Sequence, residues 1–299
     1  MAATSEPAAI ALEAGALSAG LVPEIGGSLA WFRIGDTDVM RPLTAERQRA
    51  GDVLGVAMFP MVPYANRIAD NAFAFGGRTW RFAANNPPER FNVHGTGWHL
   101  PWAARPRDGG ATLSLRYDAP DEPYSYEAVQ DFTLTPEELR VALRLTNRGP
   151  VAMPFGMGLH PWFGRDPDTE LRFAARDFYM EGPEGIATER LATPPELDFA
   201  AGRHLPQTWR NNDYGGWSGA AAIHWPKRGI GLAITADALF SHLMLYADSA
   251  KPFFCLEPQS NAPTSFNRLG TPEGTAMGAV ILAPGDTLAG AIRFRPFRL

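Results

Sequence analysis

The sequence predicts an all-β protein: a large antiparallel β-sandwich or barrel, built as one domain over residues 1–299. Two observations carry that prediction. Apolar and polar residues alternate with period two in several segments, which marks strands with one face in a core and one in water. Turn residues recur at short intervals, and 30 Gly with 27 Pro favour strands and turns over long helices. No internal repeat and no low-complexity linker divides the chain, so one domain is the simplest organisation.

Taken in order, residues 21–34 are the first strand candidate, followed by a short helix over 44–50 (TAERQRA). Residues 72–82 bracket Gly76-Gly77, a hairpin turn by composition. In 111–119, Leu113, Leu115 and Tyr117 share one face, opposed by Ser114, Arg116 and Asp118. Segment 126–135 is the next candidate. The alternation is cleanest in 139–147, where Leu139, Val141, Leu143 and Leu145 oppose Arg140, Ala142, Arg144 and Thr146. Further strands are expected at 151–160, 171–180, 220–225, 229–235 and 242–247. Near the end, Ile292 and Phe294 oppose Arg293 and Arg295. Turns at 107–110, 147–150 and 226–229 separate these segments. Loops at 182–197 and 258–276 are long, and loops of that length usually carry function or disorder.

Composition excludes several classes of function. At 299 residues and 45% hydrophobic content the chain can bury a large core. Its formal charge of −5, with no run of Lys or Arg, lacks the footprint of a nucleic-acid surface. One cysteine, Cys255, excludes an internal disulfide and a Cys-rich zinc site, and reads as a small buried hydrophobe. The N-terminus MAATSEPAAIALEAG has no basic n-region and carries Glu6 and Glu13, so it makes a poor secretory signal. No apolar run approaches the ~20 residues that span a bilayer. A soluble, cytoplasmic protein is expected, with neither membrane nor nucleic acid as a partner.

The chemistry-bearing residues begin with Glu257 in FFCLEPQSN, where an acid follows the apolar run Phe253–Leu256 and Pro258 is expected to end the strand. A carboxylate so placed is costly unless it is paired or functional. His94, in NVHGTGWH, is followed by Gly95 and so sits where a ligand can approach closely; His160 lies in GMGLHPWFG beside Trp162 and Phe163. Asn66-Arg67 supplies a planar donor array suited to oxygens, and Asp213 sits in a glycine-containing loop, NNDYGGW. Each has a plain structural alternative: a capped strand end, a satisfied core histidine, a turn-supporting Arg or Asp. No His-Glu-x-x-His, dinucleotide fingerprint, P-loop or Gly-x-Ser-x-Gly elbow occurs, and the six histidines show no metal-ligand spacing. A site of carboxylate and imidazole, with no metal and no cofactor, is what remains.

These fragments in their order resemble the aldose 1-epimerase (galactose mutarotase) family across nearly the whole chain. The opening LSAGLVPEIGGSLAWFRIG is similar to that family's first strands. Asn66-Arg67, His94-Gly95, His160, Asp213 and Glu257-Pro258 match its landmarks in order. The resemblance implies a large antiparallel β-sandwich with a cleft on one face, and a monosaccharide substrate. It further implies Glu257 as the base at the C1 hydroxyl, His160 as the acid at the ring oxygen and His94 assisting there. Asn66, Arg67 and Asp213 would bind substrate, the last two by holding ring hydroxyls. Leu159 stands where the well-known galactose mutarotases carry Asn, and Pro161-Trp162-Phe163 follows the histidine, as in a divergent bacterial branch.

From reference pKa values near ~4.3 for Glu and ~6.5 for His, an ionised Glu257 with a protonated His160 is most populated between the two. A charged His160 at neutral pH then needs a nearby carboxylate or a similar upward push. Three other functions are weighed. A hexose 6-phosphate mutarotase would use Arg33, Arg41, Arg81 or Arg90 as a phosphate clamp. A sugar-binding or regulatory protein would keep the cleft without catalysis. A hydrolase would use Asp213 and Glu257 as paired carboxylates.

Overall fold

The computed structural model describes residues 9–120 and 122–299. Most of the N-terminal stretch read as lacking a secretory signal lies outside the described residues. Among those described, two large antiparallel sheets of eleven and nine strands pack face to face, with two small two-stranded sheets beside them. One apolar cluster joins the sheets: Phe32, Leu159, Leu243 and Leu256 from the larger meet Leu113, Phe132, Val141 and Phe294 from the smaller. Each such side chain, fully removed from water, contributes about 1.5–3 kcal/mol. Among the described residues, no helix is long and apolar enough to cross a membrane.

The alternating segments form the smaller sheet. Strands Gly110–Asp118, Ser125–Leu134, Leu139–Asn147 and Thr287–Arg298 pair in antiparallel register, Val141 opposite Phe132 on one side and Ile292 on the other. The predicted helix is present as Ala45–Arg49, capped by the Thr44 side chain, which accepts from the Arg47 N–H.

Several boundaries differ from expectation. Segment 21–34 divides into Leu17–Val22 and Ser28–Ile34, and 151–160 into Met153–Phe155 and Gly158–Gly164. Segment 171–180 also divides, and its halves join opposite sheets: Glu170–Phe173 the smaller, Asp177–Glu181 the larger. Loop 182–197 contains the strand Ala187–Ala192, and 258–276 contains the short helix Pro272–Ala276. Ala103–Arg107 has no apolar alternation to betray it, because it is an exposed edge strand whose Pro and Arg residues discourage further pairing.

Two corrections bear on the site. Pro258 does not end its strand, which runs Phe253–Gln259 between neighbours on both sides. Proline removes a donor, yet Leu243 still pairs with it in register, and the flanking bonds hold the backbone extended. Asp213 is not in a loop either, but lies inside the strand Arg210–Gly215.

Candidate active site

The site is built on the outer face of the larger sheet, turned away from the smaller one. Gly158 opposite Gln259 and Trp162 opposite Cys255 set the register that puts His160 directly across from Glu257. Side chains so opposed in an antiparallel pair start about 4.5–5.5 Å apart at Cβ. The same transverse row continues through Phe59 on one side, and through Met244, Asp213 and Tyr179 on the other. Strand periodicity then sends the alternate residues Phe254, Leu256, Leu243 and Leu245 into the core. The apolar run that made Glu257 conspicuous is thus only half directed inward.

His160 Nε2 lies 3.3 Å from Glu257 Oε1, with side chains 10% and 3% exposed. The imidazole is stacked on Phe59, ring centroids 4.5 Å apart, and flanked by Trp162 at 4.7 Å. This aromatic clamp fixes the ring so that Nε2 faces the carboxylate. Glu257 Oε2 is buried with no partner, as is His160 Nδ1.

Burial decides the protonation of the pair. It pushes His160 down to about 3, and it raises Glu257 well above the usual carboxylate range against the opposing pull of Arg67. The carboxylate that His160 needed is present, but desolvation penalises both charges and outweighs it. Both shifts favour the uncharged forms, a protonated Glu257 and a neutral His160. This reverses the ionised arrangement expected from reference values.

His94 is delivered by a different device. Asn66-Arg67 and Val93-His94 are pinned together by an isolated antiparallel bridge between Arg67 and Val93. The His94 N–H donates to the Asn66 carbonyl at 2.9 Å, and the Asn66 N–H donates to His94 Nδ1 at 3.0 Å. Because Nδ1 accepts, the neutral ring carries its proton on Nε2. Burial, His160 and Arg67 all hold the His94 pKa well below the ordinary value. Asn66 and His94 both adopt left-handed backbone, φ 64° and 59°, which costs of order 1–3 kcal/mol each and is characteristic of functional sites. Gly95 is required beside them: its φ is +67°, and a Cβ there would lie 2.4 Å from Pro63 Cδ.

Glu257, His160, His94, Asn66 and Arg67 all line one cavity of about 220 Å³. Arg67 is held in it by Glu89, which accepts from Nη2 at 2.9 Å and Nε at 3.2 Å. Asp213 is placed differently from the expected hydroxyl binder. It is wholly buried, its Oδ2 lies 2.7 Å from His242 Nδ1, and its Oδ1 accepts from Gln259 Nε2 at 2.8 Å. It supports the floor of the row instead of lining the cavity. Asn211, two residues earlier on the same face, lines the wall, as do Met244 and Tyr246. Sequence reading missed these three. Period-two spacing from Asp213 would have pointed to Asn211, but nothing in sequence shows which strand faces which.

Cys255 is fully buried, as expected of a small hydrophobe, although its ligating atom lies within 4.8 Å of those of His160 and Glu257. Burial pushes its thiol upward, so it stays protonated and a poor metal ligand. Arg33, Arg41, Arg81 and Arg90 are all absent from the cavity wall. Arg33 is bonded to Asp38, and Arg41 lies over the Trp162 and Phe253 rings while donating to backbone carbonyls.

The sheet-face cavity thus holds a buried carboxyl–imidazole pair, a second oriented histidine and a tethered arginine, the groups of an acid/base site. The sequence model of the aldose 1-epimerase family matches residues 9–295. The chain belongs to that family. It is 32% identical over 282 residues to the uncharacterized protein YphB of Escherichia coli K12, covering 92% of this chain and 94% of that one. A crystal structure from the same organism, provisionally named an aldose 1-epimerase, superposes with a TM-score of 0.89 at 30% identity, covering 98% of this chain and 99% of the other. A galactose mutarotase-like protein of Clostridium acetobutylicum shares the fold, with a TM-score of 0.84 at 17% identity, covering 97% and 95%.

Proposed function

We propose that the protein interconverts the α and β anomers of a free aldose, with Glu257 and His160 moving the protons. The observation that carries this reading is the buried pair of facing acid and base, 3.3 Å apart. Transfer of the Glu257 proton to His160 gives the reactive form. Glu257 then accepts the C1 hydroxyl proton, His160 Nε2 gives its proton to the ring oxygen, the C1–O5 bond breaks and C1=O forms. Rotation about C1–C2 and the reverse steps close the other anomer. Each opening moves one proton from His160 to Glu257 by way of the sugar, and the pair's proton count never changes. His94 Nε2–H donates toward the ring oxygen, while Arg67, Asn66 and Asn211 hold hydroxyls.

The absence of all four nominated arginines from the wall argues against a phosphorylated substrate. A binding protein would have no use for the facing pair, and a two-carboxylate hydrolase is disfavoured by Asp213, whose oxygens are both engaged.

Polarimetry of freshly dissolved α-D-galactose, α-D-glucose and L-arabinose tests the proposal. Faster approach to the same final rotation supports it, and no acceleration with any free sugar refutes it. The pH dependence should be bell-shaped and wide. Activity falls on the acid side when His160 gains a second proton for the pair, at about 3 in the free protein. It falls on the alkaline side when Glu257 loses the last proton, well above the ordinary carboxylate range. A half-maximal acid limb in kcat/KM near the ordinary histidine value of ~6.5 would show that burial does not govern the pair.

A further inference from the structure

A second cavity, of about 120 Å³, lies behind the turn that carries His94. Val93 and His94 line the reaction cavity, whereas Gly95 and Thr96 line this one. Its volume is well below the ~300–1,000 Å³ of a drug-sized pocket, so it admits only a small group. Three rings of its wall form a triangle: the centroids of Tyr64, Phe82 and Tyr124 each lie 6.1 Å from the other two. Tyr117 adds a fourth ring from the strand Gly110–Asp118, where it packs against Tyr126 at 5.3 Å. Tyr124 donates its hydroxyl proton to the Pro154 carbonyl at 2.6 Å, and Tyr64 donates to Asn92 Oδ1, which fixes both rings.

The polar groups around these rings are already engaged. Asn85 accepts from the Val93 N–H at 2.9 Å and donates to the Val93 and Gly95 carbonyls at 2.9 and 2.7 Å. Asn92 donates to the Ala83 carbonyl, and the Thr96 hydroxyl is bonded to Tyr126. A sugar, with a hydroxyl on nearly every carbon, finds too few partners here. No Lys, Arg or His lines the cavity, so an anion has no counter-charge. The one charge in the wall is Glu122, exposed and in no ion pair among the described residues. Its field reaches the rings: burial and the Glu122 carboxylate together raise the Tyr117 hydroxyl pKa. A methylated ammonium ion meets every one of these conditions. It is positive, it has no N–H donors left to satisfy when fully methylated, and its methyl groups carry the charge against ring faces. We infer that this cavity is an aromatic cage for a trimethylammonium-type cation, separate from the reaction cavity and independent of the anomer-exchange reading.

The test is calorimetric titration of the full chain with choline chloride and tetramethylammonium chloride. Sodium chloride serves as the salt control, and 3,3-dimethylbutan-1-ol as the neutral twin of choline. The expected Kd for choline is about 1 mM, the affinity that several ring contacts of this kind supply together. The neutral twin should bind about tenfold more weakly, because it fills the same volume without the charge. Y117L should weaken choline binding about tenfold, and Y117F should restore it, since the ring and not the hydroxyl is required. E122Q should weaken it several-fold at low salt; the side chain is exposed, so the fold is unaffected. Equal binding of choline and its neutral twin would make the cavity a plain apolar pocket and overturn the proposal. Affinity unmoved by Y117L would place the cation elsewhere on the protein, and affinity unmoved by E122Q would remove the charge match; either overturns it. No saturable binding of choline or tetramethylammonium overturns it outright.

Discussion

Replacing Glu257 by glutamine is expected to reduce kcat by about 10²–10⁴-fold, the usual contribution of a positioned proton-transfer group. Glutamine keeps the size of the side chain and offers an N–H to His160 Nε2, so the resting arrangement survives. What is lost is the ability to take the C1 proton. Because burial favours the neutral carboxyl, which glutamine mimics, stability is expected to stay close to wild type. Polarimetric rate and urea midpoint, measured together, separate the two effects. Turnover within a few-fold of wild type would remove Glu257 from the proton path.

Asp213→Ala should do the opposite, acting first on stability. Asp213 and His242 have side chains 0% and 1% exposed, and Gln259 completes the cluster. Cutting out the carboxylate strands the His242 and Gln259 donors in the interior. Breaking a buried pair in this way costs about 3–5 kcal/mol. Urea unfolding should show a lowered midpoint with an unchanged slope, the signature of lost stability without a change of mechanism. A variant as stable as wild type with a raised KM would instead make Asp213 a direct ligand of substrate hydroxyls.

How legible the site was depended on which neighbours chemistry required. Along the chain, alternation at Leu139–Leu145 disclosed a half-buried strand, and an acid at the end of Phe253–Leu256 disclosed an unusual carboxylate. Asn66-Arg67, His94 and His160 were recognisable because glycine, proline and aromatic neighbours surround them. Across the sheet, nothing was legible. That His160 faces Glu257, that Asp213 is used up by His242 and Gln259, and that Asn211 and Tyr246 form the wall are all consequences of register between distant strands. Protonation failed for the same reason. Reference pKa values assume water, and the depth of burial that reverses them is a property of the assembled sheet. Pro258 misled for a local reason: its missing donor suggests a strand end, but neighbours on both flanks compensate.

The register that opposes His160 to Glu257 also governs how the protein acquires its site during folding. The two residues are separated by nearly a third of the chain, and their strands are central in the larger sheet. Such pairings incur loop-closure entropy before they return any stabilisation, so they form late and slowly. A slip of one residue in either strand would turn its acid or base side chain into the core and present a neighbour, Leu159 or Pro258, to the cleft. The facing of His160 and Glu257 is thus a readout of correct pairing between two strands distant in sequence.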